Sequence, residues 1–263
     1  MNTKINLSIV AFGLLATTNS TFATDWEDLE ISASVAATSN YVWRGNTQSE
    51  SRPAIQGAFD FDYTLFETDG FLKDAGVFLG VWASSIDKTV AGGKNSLEVD
   101  IYGGLSGTLD VGMDIGWNAG WLRYQYPGAA TSTGSNFDEV FAGIDIAPWD
   151  VLSLDFTAYF GVEVDNTINW GNYYDANIGF SPLAGLADDD PASFLKSFTI
   201  SGHFGHYDRT KDGTGDNYVD WKIGVAQDIL GVTTEIAYWD TDLHNDEGEN
   251  QRPIYMVTFS KSF

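Results

Sequence analysis

Apolar and polar residues alternate along most of this 263-residue chain. Leu97, Val99, Ile101 and Leu105 alternate with Glu98, Asp100 and Tyr102. Leu109, Val111, Met113, Ile115 and Trp117 alternate with Asp110, Gly112, Asp114, Gly116 and Asn118. Leu152, Leu154, Phe156, Phe160 and Val162 alternate with Ser153, Asp155, Thr157, Tyr159 and Glu163, and the same holds from Val219 to Asp228. A period of two gives each segment one apolar and one polar face, as a strand has. Twelve strands are predicted, near 31–44, 53–64, 75–85, 95–105, 108–122, 137–147, 150–163, 172–182, 194–207, 216–229, 232–240 and 253–263. No segment carries a useful helical period, and no linker splits the chain.

The connections carry a second pattern. Tight links are expected at Ser106-Gly107, Pro148-Trp149 and Leu230-Gly231, a moderate one from Phe66 to Asp74, and an exception from Pro182 to Pro191. The alternate links are longer and polar: 45–52, 88–94, 126–135, 208–215 and 240–251. Short turns at one end and long loops at the other is the layout of a bacterial outer-membrane barrel, with both termini on the short-turn, periplasmic side.

The N-terminus agrees with export. Lys4 supplies a charged start, Ile5 to Ala16 a short apolar core and Thr21-Phe22-Ala23 a cleavage site, so residues 1–23 read as a signal peptide. Residues 24–263 then form a single barrel domain, with nothing near the ~20 apolar residues of a membrane helix. The fold expected is all-β: a transmembrane antiparallel up-and-down β-barrel of about 12 strands after a cleaved signal peptide. A soluble sandwich also alternates. Three features favour the barrel: a polar face of small residues and carboxylates, a C-terminal Phe263 with Tyr255, Val257 and Phe259 on its parity, and aromatics gathered at strand ends. Those aromatics are Trp26, Tyr41, Trp43, Trp121, Tyr126, Trp149, Trp170, Tyr238 and Trp239.

Composition narrows the partners. The chain has no cysteine, so no disulfide holds it. A formal net charge of −24 argues against nucleic acid. It suits a protein that handles cations, or an acidic solvated surface. Parity places Asp60, Asp62, Glu98, Asp100, Asp110, Asp114, Glu139, Asp145, Asp155, Glu163, Asp175, Asp220, Asp228 and Glu235 inward, against only Arg44 and Lys222 as inward bases. A like-signed lumen enriches counter-ions, so a cation preference is expected. Twelve strands enclose a backbone cylinder roughly 25 Å across, and side chains reduce the passage to about 10 Å or less. Trp82, Tyr102, Phe141, Tyr159 and Tyr173 face inward and can narrow or block it.

Continuing the outward parity of Ile31, Ala33, Val35 and Ala37, Tyr41 and Trp43 are expected to face lipid at the outer rim, with Arg44 at the lumen mouth. All five arginines, Arg44, Arg52, Arg123, Arg209 and Arg252, fall at or beyond the outer strand ends. Guanidinium binds phosphate bidentately, so Arg123 beside Trp121 is a candidate for lipopolysaccharide phosphate, while Arg44 is expected to pair with carboxylates.

The run SNYVWRGNTQSESRPAIQG (39–57) resembles the opening of the TorF-like porin family, the uncharacterised Gcw_chp outer-membrane family. Ser39, Tyr41, Arg44, Gly45, Gln48, Ser49, Pro53, Ala54, Gln56 and Gly57 match its pattern. GVFLGVWASSID (76–87), with Phe78 in place of a tyrosine, is similar to a second family motif. EVDIYGGLSG (98–107), YQYPGA (124–129), YVDWKIGV (218–225) and the SKSF ending are also similar. The resemblance implies an outer-membrane location and a pore, without a substrate.

The functional expectation is a narrow water-filled porin for small hydrophilic solutes or cations, with no cofactor and an open oligomeric state. The alternatives are a non-conducting structural or adhesive barrel and, less favoured, a lipid-modifying barrel enzyme. For the enzyme, Ser201 and His203 share the inward face, but no nucleophile motif surrounds them. His203, His206 and His244 lack metal-ligand spacing, and the acidic loop 240–249 lacks the EF-hand pattern.

Overall fold

The computed structural model describes residues 28–87, 95–128, 136–164, 169–209, 216–243 and 253–263. The expected signal peptide, Trp26, His244 and Arg252 lie outside them. The strands are β1 (Leu29–Thr38), β2 (Val42–Trp43), β3 (Asn46–Thr47), β4 (Ala54–Glu67), β5 (Leu72–Ser85), β6 (Leu97–Asp110) and β7 (Asp114–Gln125). They continue as β8 (Phe137–Trp149), β9 (Leu152–Val162), β10 (Asn172–Phe180), β11 (Thr199–Asp208), β12 (Tyr218–Ile229), β13 (Val232–Thr241) and β14 (Ile254–Ser262).

All but β2 and β3 close into one twelve-stranded antiparallel barrel. Closure is made by β1, whose Val35 lies opposite Gly57 of β4 on one side and Lys261 of β14 on the other. Every barrel strand thus has two partners and no edge is left unpaired, which is what a sheet in lipid requires. The longest strands have 14 residues. At ~3.4 Å per residue and ~40° tilt such a strand rises roughly 36 Å, enough to cross the ~25 Å apolar band with both rims.

Alternation becomes inside and outside. On β4, Ile55, Phe59, Phe61, Tyr63 and Leu65 point away from the bore and are exposed on the isolated barrel, while Gln56, Asp60 and Asp62 point inward. Inward glycines give room for inward aromatics. A side chain at Gly205 would collide with the Tyr173 ring, and one at Gly104 with Phe78.

Several boundaries differ from the sequence reading. Ser106 and Gly107 lie within β6, paired to Asn118 and Trp117. The chain reverses instead at 111–113, where Gly112 takes φ 93° and its N–H donates to the Asp110 carboxylate at 2.9 Å. The alternation of Leu109, Val111, Met113 and Ile115 runs through this turn unbroken and conceals it. Likewise β8 runs through Pro148 to Trp149, and the reversal falls on 150–151. The strand ends joined by 68–71, 111–113, 150–151, 181–198 and 230–231 lie where β1 begins; those joined by 39–53, 86–96, 126–136, 163–171, 209–217 and 242–253 lie at the other end.

The largest departure is at the first strand. β1 ends at Thr38, not 44. Ser39 keeps two last ties to β14: its N–H donates to the Val257 carbonyl at 2.9 Å, and its hydroxyl accepts from the Val257 N–H at 3.0 Å. The chain then leaves the wall: residues 40–49 fold into the bore around the small β2–β3 hairpin, and residues 50–53 return exposed to the wall.

Candidate functional site: a closed bore

The β2–β3 hairpin turns on Arg44 and Gly45, with φ 47° and 75°. Two residues at positive φ make the tight hairpin turn that normally carries Asn-Gly. Arginine is a costly choice there, and the surroundings show what holds it. The Arg44 guanidinium makes two parallel hydrogen bonds to the Glu139 carboxylate of β8, at 2.8 and 2.7 Å. Four rings surround it: Tyr173 at 4.4 Å, Trp43 at 4.5 Å, Tyr207 at 5.0 Å and Tyr159 at 5.3 Å from their centroids. Each such cation–ring contact contributes ~0.5–2 kcal/mol. The Tyr218 hydroxyl donates to the Arg44 carbonyl at 2.9 Å, and the Tyr124 hydroxyl to Glu139 at 3.1 Å. Gly45 lies against the wall, where an added Cβ would stand 2.6 Å from the Asp220 Cβ and 3.1 Å from that of Thr241.

The rest of the 39–57 motif holds this insert. The Gln48 N–H donates to the Tyr41 carbonyl at 2.7 Å and the Tyr41 N–H to the Ser49 hydroxyl at 2.9 Å. The Asn40 side-chain oxygen lies 2.7 Å from the Thr47 hydroxyl and 2.8 Å from that of Ser49. Tyr41 packs edge-on to Trp82 with centroids 5.4 Å apart. The Asp87 N–H ties the insert to the β5–β6 loop through the Gln48 carbonyl at 2.8 Å.

Two of the lipid-facing expectations are corrected by this. Tyr41, 2 % exposed, and Trp43 lie inside the bore, because the chain has left the outward parity of β1 before reaching them. Tyr126, Trp170 and Trp239 also pack inward rather than in a girdle. Trp121, Trp149 and Tyr238 are on the outer face. Arg123 lies there too, its Nη1 3.3 Å from both oxygens of Asp138.

The inward carboxylates divide by height. Near the long-loop end Glu98, Asp100, Glu139 and Asp220 are fully buried. Glu98 accepts from the Tyr126 hydroxyl at 3.2 Å, and both Asp100 oxygens lack a hydrogen-bond partner among the described residues. Towards the short-turn end Asp60, Asp62, Asp145 and Asp155 face the bore and are only partly buried; this part of the bore is the vestibule. There Tyr102 donates to Asp60, and Asn177 to Asp155 at 2.9 Å. Asp114 and Asp110 sit at the rim of that end, held by Lys73, and Asp228 lies exposed near the end of β12, where it accepts from the Gly231 N–H at 2.8 Å. Glu163 is corrected: it lies exposed beyond the end of β9, since the chain leaves the sheet at Val162.

Between the insert and β9–β14 a cavity of about 90 Å³ remains, lined among others by Asn40, Arg44, Asp175, His203, Lys222 and Trp239. His203 bridges Asp175 at 2.8 Å and Asp220 at 2.9 Å. Lys222 pairs with Glu235 at 2.9 Å, and Ser201 donates to the same carboxylate at 3.0 Å. Ser201 is therefore engaged with Glu235, and both His203 nitrogens with carboxylates, rather than with each other. The expected pore-lining set thus resolves into a buried group at one end, paired except for Asp100, and a partly buried acidic group that lines the other.

Solved structures similar to this one are membrane barrels. One comes from work on in-meso crystallisation of membrane proteins, with TM-score 0.53, 11% identity, 89% of this chain and 83% of that one covered. The KdgM porin gives TM-score 0.50 at 9% identity over 88% of this chain and 99% of its own. The Salmonella typhi outer membrane phospholipase dimer with bound calcium gives TM-score 0.50 at 8% identity over 92% and 93%. These likenesses carry the outer-membrane barrel fold alone. No curated protein matches. A family model does, over residues 23–262: the chain belongs to the family described as bacterial protein of unknown function (Gcw_chp).

Proposed function

We propose that this protein is a gated outer-membrane channel, narrow, for small hydrophilic solutes, and cation-preferring, with residues 39–53 as the gate. The observation that carries the reading is Arg44 seated on Glu139 inside the barrel: the insert that closes the bore carries a charged, strained tip among the aromatics that pack around it. An ion pair with two discrete arrangements, made or broken, suits a gate. The acids Asp60, Asp62, Asp145 and Asp155 around the vestibule support cation enrichment. In this reading the short turns and both mature termini are periplasmic, the vestibule opens there, and Arg123 meets lipopolysaccharide phosphate outside. The TorF-like porin assignment belongs with the same reading.

A non-conducting structural barrel is the second reading, favoured by the aromatic packing of Tyr41 on Trp82 and of Trp43 on Tyr124 at 5.9 Å. Planar-bilayer recordings of the purified protein separate the two. The gated channel gives a low open probability with discrete openings that a Glu139→Gln exchange makes frequent; a structural barrel stays silent in both forms.

A further inference from the structure

The cavity beneath the insert has an unusual balance of groups. Every charged side chain facing it already meets its counter-charge: Arg44 with Glu139 at 2.7 Å, Lys222 with Glu235 at 2.9 Å, and His203 with Asp175 and Asp220 at 2.8 and 2.9 Å. A charged occupant would have to break one of these pairs, at the cost of leaving a buried charge uncompensated. Two neutral donors on the cavity wall, by contrast, are buried with no partner among the described residues: the Asn40 side-chain N–H₂ and the Trp239 indole N–H. The Asn40 oxygen faces the Thr47 and Ser49 hydroxyls, which leaves its N–H₂ as the unpaired end. Buried donors left unpaired cost about 1–3 kcal/mol each, so they call for an acceptor.

The walls add shape. Trp239, Val42 and Met256 make part of the wall apolar, with the His203 ring 5.0 Å from that of Trp239, while Thr38, Gln56, Thr258 and Ser260 add hydroxyls and an amide. Water wets the polar half only. A molecule with C–H on one side and hydroxyls on the other satisfies both. At ~15 Å³ per water-sized atom, about 90 Å³ holds roughly six such atoms.

We propose that this cavity binds a small uncharged polyol of about the size of glycerol, stacked on Trp239 and hydrogen-bonded by the Trp239 indole and the Asn40 amide. The proposal rests on the channel reading only for how the polyol arrives; the binding itself does not require conduction. The acidic vestibule does not oppose it, because a neutral solute is indifferent to that potential.

The test is ligand-detected NMR on the detergent-folded full barrel with three-carbon probes of matched size: glycerol, glycerate as the anion and 2-amino-1,3-propanediol as the cation. Saturable glycerol binding is expected, at least fivefold tighter than either charged probe. Trp239→Phe keeps the ring and removes the N–H, and Asn40→Asp keeps the oxygen that faces Thr47 and Ser49 while removing the donor. Each folded variant, checked by heat-modifiable gel migration, is expected to lose at least fivefold in glycerol affinity. Should Trp239→Phe not fold, Asn40→Asp decides. Absent glycerol saturation, tighter binding of a charged probe, or unchanged affinity in a folded variant overturns the site. Glycerol binding by a barrel that never conducts would leave the site standing and overturn the channel instead.

Discussion

Arg44 and Glu139 lie 95 residues apart in the chain and meet inside the barrel through two parallel hydrogen bonds of 2.8 and 2.7 Å. One sits on the tip of a two-residue turn, the other on the wall, and both side chains are almost wholly buried, at 4% and 0% exposure. Breaking such a pair by removing one partner costs about 3–5 kcal/mol, because the remaining charge stays buried. Replacing both by apolar residues of similar length costs less.

Arg44→Ala and Glu139→Gln are therefore expected to release the insert, whereas Arg44→Met with Glu139→Met keeps it closed. Single-channel recording reads this as a rise in open probability of about tenfold or more for each single variant. The double variant should return close to the parent value. Equal open probability in all four proteins would mean the pair has no part in closure.

Gly45 offers an independent handle on the same insert. Alanine there meets both a left-handed backbone, costing ~1–2 kcal/mol, and the Asp220 Cβ at 2.6 Å. Gly112, at φ 93° with nothing within 4 Å of an added Cβ, bears only the backbone cost. Gly45→Ala should expose the 39–53 segment to protease in the folded barrel, and Gly112→Ala should not. Cleavage at equal rates in both variants would rule out the close approach as the cause.

Selectivity is expected to reside in the vestibule. Asp100 is fully buried and Asp114 is held by Lys73 at the rim, so neither is placed to act on a passing ion. Asp62, Asp145 and Asp155 face the bore and are only partly buried. Changing these three together to Asn should lower the cation/anion permeability ratio by about twofold or more, read as a reversal potential in a salt gradient. Asp100→Asn should leave it unmoved.

The barrel was legible in the sequence because lipid outside and water inside impose a period of two on every strand. Twelve segments follow from that alone. The insert was not, because Tyr41-Val42-Trp43 continues the alternation of β1 although the chain has already left the wall. Parity cannot see a change of layer. The available signal was Arg44-Gly45 between Val42-Trp43 and Asn46-Thr47, a two-residue turn with glycine second, which reads as a hairpin. Trp239 reads as a girdle residue only from its place at a strand end; its parity, shared with Glu235 and Ala237, faces the bore. Pairing was beyond reach as well: Arg44 finds Glu139 only once the barrel closes, and His203 finds Asp220 only in the register that β11 and β12 adopt.

Orientation is checked with single cysteines, for which the cysteine-free chain is a clean background. Glu163 lies exposed at the long-loop end and Asp189 exposed in the 181–198 link at the other. On intact cells a membrane-impermeant maleimide should label Glu163→Cys and spare Asp189→Cys until the outer membrane is permeabilised. The reverse pattern would invert the barrel and move the vestibule to the outside.

Arg123 stands on the outer face at the long-loop end, two residues from Trp121, which is 37% exposed. Only its Nη1 reaches Asp138, at 3.3 Å to each oxygen, and 24% of the side chain is exposed. A guanidinium has five N–H donors in a planar fork, so the remaining ones are available to a phosphate approaching from the lipid side. Arg123→Ala should then reduce co-purifying lipopolysaccharide to about half or less, but it also leaves the buried Asp138 carboxylate without this partner. Adding Asp138→Asn separates the two effects. If Arg123 serves the phosphate, the double variant regains thermal stability and still lacks the lipid. If Arg123 serves only Asp138, lipid retention in the double variant equals that of the parent. Arg44→Ala, altered inside the bore, should change conductance and retain the lipid in full.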